Sequence, residues 1–169
     1  MIKLKNQNQT AWNASRKSRG IILGQTQYST GKHKIKIKID QFPNTQYGDK
    51  RIYLGVINTK DREIFIKYAD YEGTYYFETY WDWNRNLLQS SKKKKENGKE
   101  YSEKYPKYIK LKENDILEIL LDMDQKTIAF KVNKNNFGIA WENLPESVHF
   151  FAFLSFNRQR IKNNQITLI

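Results

Sequence analysis

Few residues in this chain have the types and spacing that chemistry requires. His33 and His149 are its two histidines, and it has no cysteine. Two imidazoles without a supporting Glu/Asp pattern do not define a zinc site. Without cysteine there is no thiolate metal site, no disulfide framework and no cysteine nucleophile. No serine stands in a Gly-x-Ser-x-Gly elbow. Gly31-Lys32 ends like a phosphate loop, but the earlier glycine, Gly24, is wrongly spaced and His33 replaces the required Ser or Thr. Asp122 and Asp124 lie two apart at a strand end. A sandwich glycosidase needs paired carboxylates across a cleft, and no third carboxylate stands at suitable spacing. Turn chemistry is the better reading, because short acids bond the backbone just ahead of them. The residues therefore predict no enzyme, no cofactor and no metal.

What remains is binding chemistry. Thirty Lys and Arg against 18 Asp and Glu give a net charge of +12 and a pI of about 9.7. Such a balance favours acidic partners: nucleic acid, an anionic surface or an acidic peptide. The lysines are scattered, often on the polar side of strand patterns, which reads as solvated sheet faces. The alternative function is single-stranded nucleic-acid binding. It would use Lys92 to Lys95, the basic turn Arg158 to Lys162, and exposed tyrosines. The aromatic segment Tyr71 to Trp83 reads as core and sheet surface, with Trp81 and Trp83 on one face and Asp82 opposite.

The elements that must position such residues are strands. Ile116 to Leu144 reads as a three-stranded antiparallel meander. Leu117, Ile119, Leu121 and Met123 share one face, as do Ile128, Phe130 and Val132; the third strand carries Phe137, Ile139 and Trp141. Asp122 to Lys126 and Asn133 to Asn136 are its turns, the asparagines tolerating a left-handed backbone. Gly138 is expected to permit close approach of a neighbouring chain. Lys34 to Ile39 alternates strictly, isoleucines in and lysines out. Arg51 to Ile57 is a second strong strand, and Phe150 to Phe156 a long apolar one. Weaker strand signals stand at Ile64 to Tyr68, Tyr108 to Leu111 and Ile166 to Ile169.

Ile2 and Leu4 suggest an edge strand within a peripheral segment, residues 1–11. Trp12 to Ser18 reads as a loop, Ile21 to Leu23 as a short run ending in a turn at Gly24, and Tyr28 to Gly31 as another turn. Gln89 to Lys104 reads as a long loop without apolar periodicity. At 169 residues the simplest organisation is one domain. Many short strands and no convincing helix predict an all-β, two-sheet antiparallel sandwich over residues 12–169.

These motifs carry a family resemblance. Asn114-Asp115-Ile116-Leu117, with Asp122 following, then Thr127-Ile128-Ala129-Phe130 to Asn133, then Phe137-Gly138-Ile139-Ala140-Trp141 to Pro145, resembles the central signature of the SPRY domain, the core of the B30.2 module. Ser29 to Ile39, Tyr53 to Val56, Trp81 to Trp83 and Ile166 to Leu168 are similar to further family segments. Asn114 replaces the usual glycine, and Lys34 and Lys36 replace an aromatic and an acid.

The resemblance implies a non-enzymatic module that binds a short segment or surface of a partner protein, using loops at one end of the sandwich. By position it implies a site of Arg16 and Arg19, Phe65 and Tyr68, and Phe156, Asn157 and Arg158. The partner is then a protein or peptide, with an acidic one suited to the charge. The chain would act as a monomer or as a subunit of a larger complex.

No apolar run approaches the ~18 residues of a membrane span, and the N-terminus lacks an apolar signal region. The cysteine-free composition suits a reducing compartment. An intracellular location, cytoplasmic or nuclear, is expected, with the sequons at Asn8 and Asn13 unmodified.

Overall fold

The computed structural model describes residues 2–14, 20–41, 52–61, 74–82, 85–91, 94–96, 99–101, 112–154 and 165–169. The described elements are strands, apart from one short 3-10 turn at Thr59–Asp61. The strands are β1 (Ile2–Lys5), β2 (Thr10–Asn13), β3 (Gly20–Tyr28), β4 (Lys32–Gln41), β5 (Ile52–Asn58), β6 (Thr74–Asp82) and β7 (Arg85–Ser91). They continue with β8 (Lys94–Glu96), β9 (Lys99–Tyr101), β10 (Ile116–Asp122), β11 (Thr127–Val132), β12 (Asn135–Trp141), β13 (Val148–Leu154) and β14 (Gln165–Leu168). A seven-stranded sheet runs β1-β2-β14-β4-β10-β11-β12, and a five-stranded sheet runs β3-β13-β5-β6-β7. All their pairings are antiparallel.

The alternation read from the sequence sets the inner face of the larger sheet. Ile35, Ile37 and Ile39 of β4 stand buried beside Leu117, Ile119 and Leu121 of β10, and beside Ile128, Phe130 and Val132 of β11. They meet Leu54 and Val56 of β5 and Val148, Ala152 and Leu154 of β13 in one core. The lysines of β4 lie on the outer face, where Lys34, Lys36 and Lys131 converge on Glu118, each at 3.9 Å. These half-exposed pairs add little individually. The single carboxylate offsets part of the charge on a face that is otherwise a row of cations.

β5 has no alternation because both of its faces are covered. Tyr53 and Ile57 point to the opposite side from Leu54 and Val56, into a second buried cluster with Phe151 and Phe153. Tyr53 and Phe153 stack at 4.8 Å. A strand covered on both sides reads as a continuous apolar run, which is what Ile52 to Ile57 is.

Several expectations are corrected. Trp12 and Asn13 are in β2, not in a loop, because Ala11 and Asn13 face inward while Trp12 faces outward beneath Lys5, 5.6 Å from its ring. β3 does not turn at Gly24 but continues to Tyr28 through a bulge, in which three residues stand opposite Phe150. The segment expected as a long loop holds the end of β7 and the β8–β9 hairpin. That hairpin sets Lys95 opposite Glu100 and Glu96 opposite Lys99. The two residues between its strands in the sequence are Asn97-Gly98, the strongest short hairpin signal, and opposite charges across the strands support the pairing.

In β12, Ile139 does not share the buried face of Trp141 but is 58% exposed. Register shifts on either side of Ala129 break the period there. Gly138 has open space around it rather than a neighbouring chain; it is needed for its φ of +78°. The short strands expected at Ile64 to Tyr68 and Tyr108 to Leu111 lie outside the described residues.

The turns of the meander behave as read. Asp122 Oδ1 accepts the backbone N–H groups of Asp124 and Gln125 at 3.1 and 3.0 Å. Asn133 is left-handed at φ 53° and Asn114 at φ 73°. Asparagine thus keeps the backbone conformation for which the family uses glycine at 114.

Two stability predictions follow from burial and φ. Phe130→Ala should lower unfolding free energy by about 3–5 kcal/mol, while Ile139→Ser should stay within about 0.5 kcal/mol. At Asn114, glycine should be tolerated and valine should cost about 1–2 kcal/mol, the penalty for a branched residue in the left-handed region. Urea denaturation of the four variants tests both.

Candidate functional site

The seven residues singled out for partner binding, Arg16, Arg19, Phe65, Tyr68, Phe156, Asn157 and Arg158, all lie outside the described residues. The described strands nevertheless show where the chain departs toward each and returns. β2 ends at Asn13 and β3 begins at Gly20, opposite Leu154, the last residue of β13. The buried Asn13 side chain donates from Nδ2 to the Leu154 carbonyl at 3.0 Å. One hydrogen bond therefore ties the point before Arg16 and Arg19 to the point before Phe156 to Arg158. Gly20 lies at the same corner under the Ile2 side chain: a Cβ there would stand 2.1 Å from Ile2 Cδ1, which would have to swing aside.

The strands flanking Phe65 and Tyr68 end elsewhere. β5 finishes at Asn58 opposite Val148, and β6 begins at Thr74 opposite Ile57. Val148 and Leu154 are at opposite ends of β13, roughly 20 Å apart at about 3.3 Å per residue. The structure brings together the strand ends beside two of the three expected segments and separates them from those beside the third.

The Val148 end is stitched shut by turns. Asp124 Oδ1 accepts from Gly31 N at 2.7 Å, and Lys126 Nζ donates to the carbonyls of Ser29 and Glu146, both at 3.3 Å. Thr59 N donates to Ser147 O at 3.1 Å. His33 Nε2 lies 2.6 Å from the Thr30 carbonyl, and its ring tilts over Tyr28. His149 is buried in β13. Among the described residues no three His, Cys, Asp or Glu side chains gather as a metal site, and Asp122 and Asp124 serve the turn. No described helix is long and apolar enough to cross a membrane.

Residues of the sequence signature prove structural. Asp115, buried, accepts from Lys112 N at 2.8 Å and from Asn133 Nδ2 at 2.9 Å, while Asn133 Oδ1 accepts from Ile116 N at 3.0 Å. The pair locks the β11–β12 turn to the start of β10. Trp141 packs edge-on against Phe130 and Tyr75, at 5.8 and 6.2 Å.

A feature not anticipated from the sequence is a cavity of about 420 Å³ on the flank where β3 and β1 are the edge strands of their sheets. Its floor is Ala11, Ile37 and Ile166, and its walls include Ile22, Phe150 and Leu168. The available signal was the uncharged run Gly20 to Tyr28 beside the amide-rich stretch Asn6 to Gln9.

Electrostatics at the stitched end makes one prediction. Two backbone N–H groups, Gln125 foremost, and Lys32 at 3.2 Å hold the Asp122 carboxyl below its ordinary value of 3.8. A lowered folded-state value stabilises the fold above the unfolded value, and that contribution is lost as pH falls through the folded one. Asp122→Asn keeps the turn acceptor and removes only the charge. Its melting temperature should lie below that of the parent at pH 7 and converge with it only as pH falls below 3.8.

A model of the SPRY domain matches residues 48–168. No curated protein matches the chain by sequence. The SPRY domain of human HERC1 superposes with a TM-score of 0.62 at 13% identity, over 99% of this chain and 91% of that one. The PSpry domain of TRIM65 gives 0.62 at 14% identity, over 99% and 85%. The neuralized NHR1 domain of Drosophila melanogaster gives 0.57 at 13%, over 99% and 90%. At these identities the structures speak to the fold, a sandwich shared along almost the whole chain. SPRY domains are in general protein-interaction modules without catalytic activity. The family model covers well over half of the sequence, and this chain belongs to the SPRY domain family.

Proposed function

We propose that the chain is a non-catalytic recognition module that captures a short segment of a partner polypeptide on the loops at the Asn13–Leu154 end of the sandwich. The observation that carries this reading is the 3.0 Å hydrogen bond between those residues. It supports a single patch from the segment containing Arg16 and Arg19 and the one containing Phe156, Asn157 and Arg158. Loops held by rigid sheets are where binding residues concentrate. Arginine forks pair with carboxylates and backbone carbonyls, and an aromatic ring supplies rigid contact area. The net charge of +12 favours a partner segment with acidic residues by raising its encounter rate. Phe65 and Tyr68 fall in the sequence between Asn58 and Thr74, whose strand ends lie at the other end of the sheet, and serve as the comparison. The cysteine-free sequence supports a reducing, intracellular setting, and a place in a larger complex fits an interaction domain.

A peptide library displayed on phage and selected on the purified chain tests the proposal. Selected peptides should lose at least tenfold in affinity with Arg16→Ala/Arg158→Ala and little with Phe65→Ala/Tyr68→Ala, with melting temperatures unchanged. The reverse pattern moves the site to the other end and rejects this one. Affinity should change modestly between about 50 and 200 mM salt; a phosphate-driven nucleic-acid complex with several contacts would fall by about 10³ or more. Failure to select any peptide, together with tight and salt-steep oligonucleotide binding, would replace this reading with the nucleic-acid one.

A further inference from the structure

The flank between the two sheets is built differently from the rest of the surface. Thirteen residues line its cavity and none of them is charged, in a chain where 28% of residues are. The nine residues of β3 likewise carry no Asp, Glu, Lys or Arg. Among the described residues no strand pairs with the second edge of β3, and Gln25, Thr26 and Gln27 are exposed along it. Two of the four exposed large apolar side chains of the described residues, Leu4 and Leu168, belong to this flank. Both line the cavity itself.

One lip is held in an uncommon conformation. Asn6, Gln7 and Asn8 are three successive left-handed residues, at φ 51°, 55° and 68°. A non-glycine residue in that region is disfavoured, and such strain persists only where surrounding contacts impose it. Here Gln9 N donates to Asn6 O at 3.1 Å, Asn6 Nδ2 donates to Thr10 Oγ1 at 3.2 Å, and Leu168 N donates to Gln9 O at 2.8 Å. The turn presents Gln7, Asn8 and Gln9 to the cavity, across from Gln25 on β3. The result is an apolar floor with an amide rim, a common arrangement in binding pockets: apolar lining with a few placed polar groups.

We infer that this groove is a second recognition site, separate from the loop end, and that it takes an extended peptide of another protein. Apolar side chains of that peptide enter the groove, and its acidic residues lie outside the apolar stretch. Charge decides the occupant. An uncharged floor excludes ion pairing inside the groove, so the inserted residues are apolar. Lys3 and Lys5 flank it on the outward positions of β1, so acids beside the insert are favoured. A second copy of the chain is disfavoured, because it brings a further +12 and its own Lys3 and Lys5 to the contact. An extended peptide matches the geometry, since its alternate side chains point the same way and amide side chains on both lips can bond its backbone.

The probe is an acetylated heptapeptide with leucine at alternate positions, threonine between them and glutamate at each end. It is titrated into the isotope-labelled full chain and followed by amide chemical shifts. Saturable shifts at Leu4, Gln9, Gln25 and Leu168 are expected, with weaker binding when serine replaces the leucines. Gln25→Glu, at an exposed position, should weaken binding at least tenfold without altering the melting temperature, and Leu4→Ser, which removes an apolar contact without adding charge, should do the same. Arg16→Ala/Arg158→Ala should leave this binding intact, so failure of the loop-end reading and failure of this one are separable. Absence of shifts at the groove, or equal binding by the serine peptide, overturns the inference. So does a concentration-dependent dimer in sedimentation that Leu4→Ser abolishes, which would identify a second copy as the occupant.

Discussion

The mutual burial of two period-two faces is the constraint on which everything else in this molecule rests. Ile35, Ile37 and Ile39 of β4 with Leu117, Ile119 and Leu121 of β10 present one apolar surface; β5 and β13 present the other. A slip of one residue in β4 or β10 would turn its isoleucines or leucines to water and its lysines or glutamate to the core. Register is therefore strongly specified, and register decides where each strand stops. The ends of the strands in turn decide which loops can meet. The functional geometry is thus a consequence of core packing rather than of any attraction among the binding residues themselves.

The motif residues that betray the family turn out to serve this frame. Asp115 and Asn133 are consumed by each other and by backbone N–H groups. Asp122 and Asp124 saturate a turn and the neighbouring Gly31. Trp141 fills a corner of the core against Phe130. A polar group taken out of water must find a partner, and polar residues at fixed spacing in a turn do so locally. That is why such a signature can mark a fold while leaving the partner unspecified. Recognition, in the reading we propose, falls to other surfaces, the loops and the open flank.

How much was legible follows from the same physics. The meander, β4 and the buried faces were readable because alternation is a direct image of one covered side. β5 was readable as a strand, but its burial on both sides was not, because an unbroken apolar run does not say what lies on either face. The β8–β9 hairpin was missed by weighing apolar periodicity over turn chemistry, although Asn97-Gly98 stood in plain view. β2 and the continuation of β3 were missed because short or bulged strands lack a clean period. Ile139 was misplaced since a register shift in the pairing with β11 is a property of two strands together.

For the sites, sequence and structure divide the labour cleanly. Residue types alone established that strands alternate about one core and that the chain carries a strong positive charge. Local rules suffice for these, since each depends on residues a few positions apart. Only the tertiary structure decided that the strand ends at Asn13 and Leu154 meet while those at Asn58 and Thr74 lie at the far end. It alone made a groove from β1, β3, β13 and β14. Both are outcomes of pairings between positions as distant in sequence as Asn13 and Leu154 or Gln9 and Leu168, set by the global register of two sheets, which no local pattern contains.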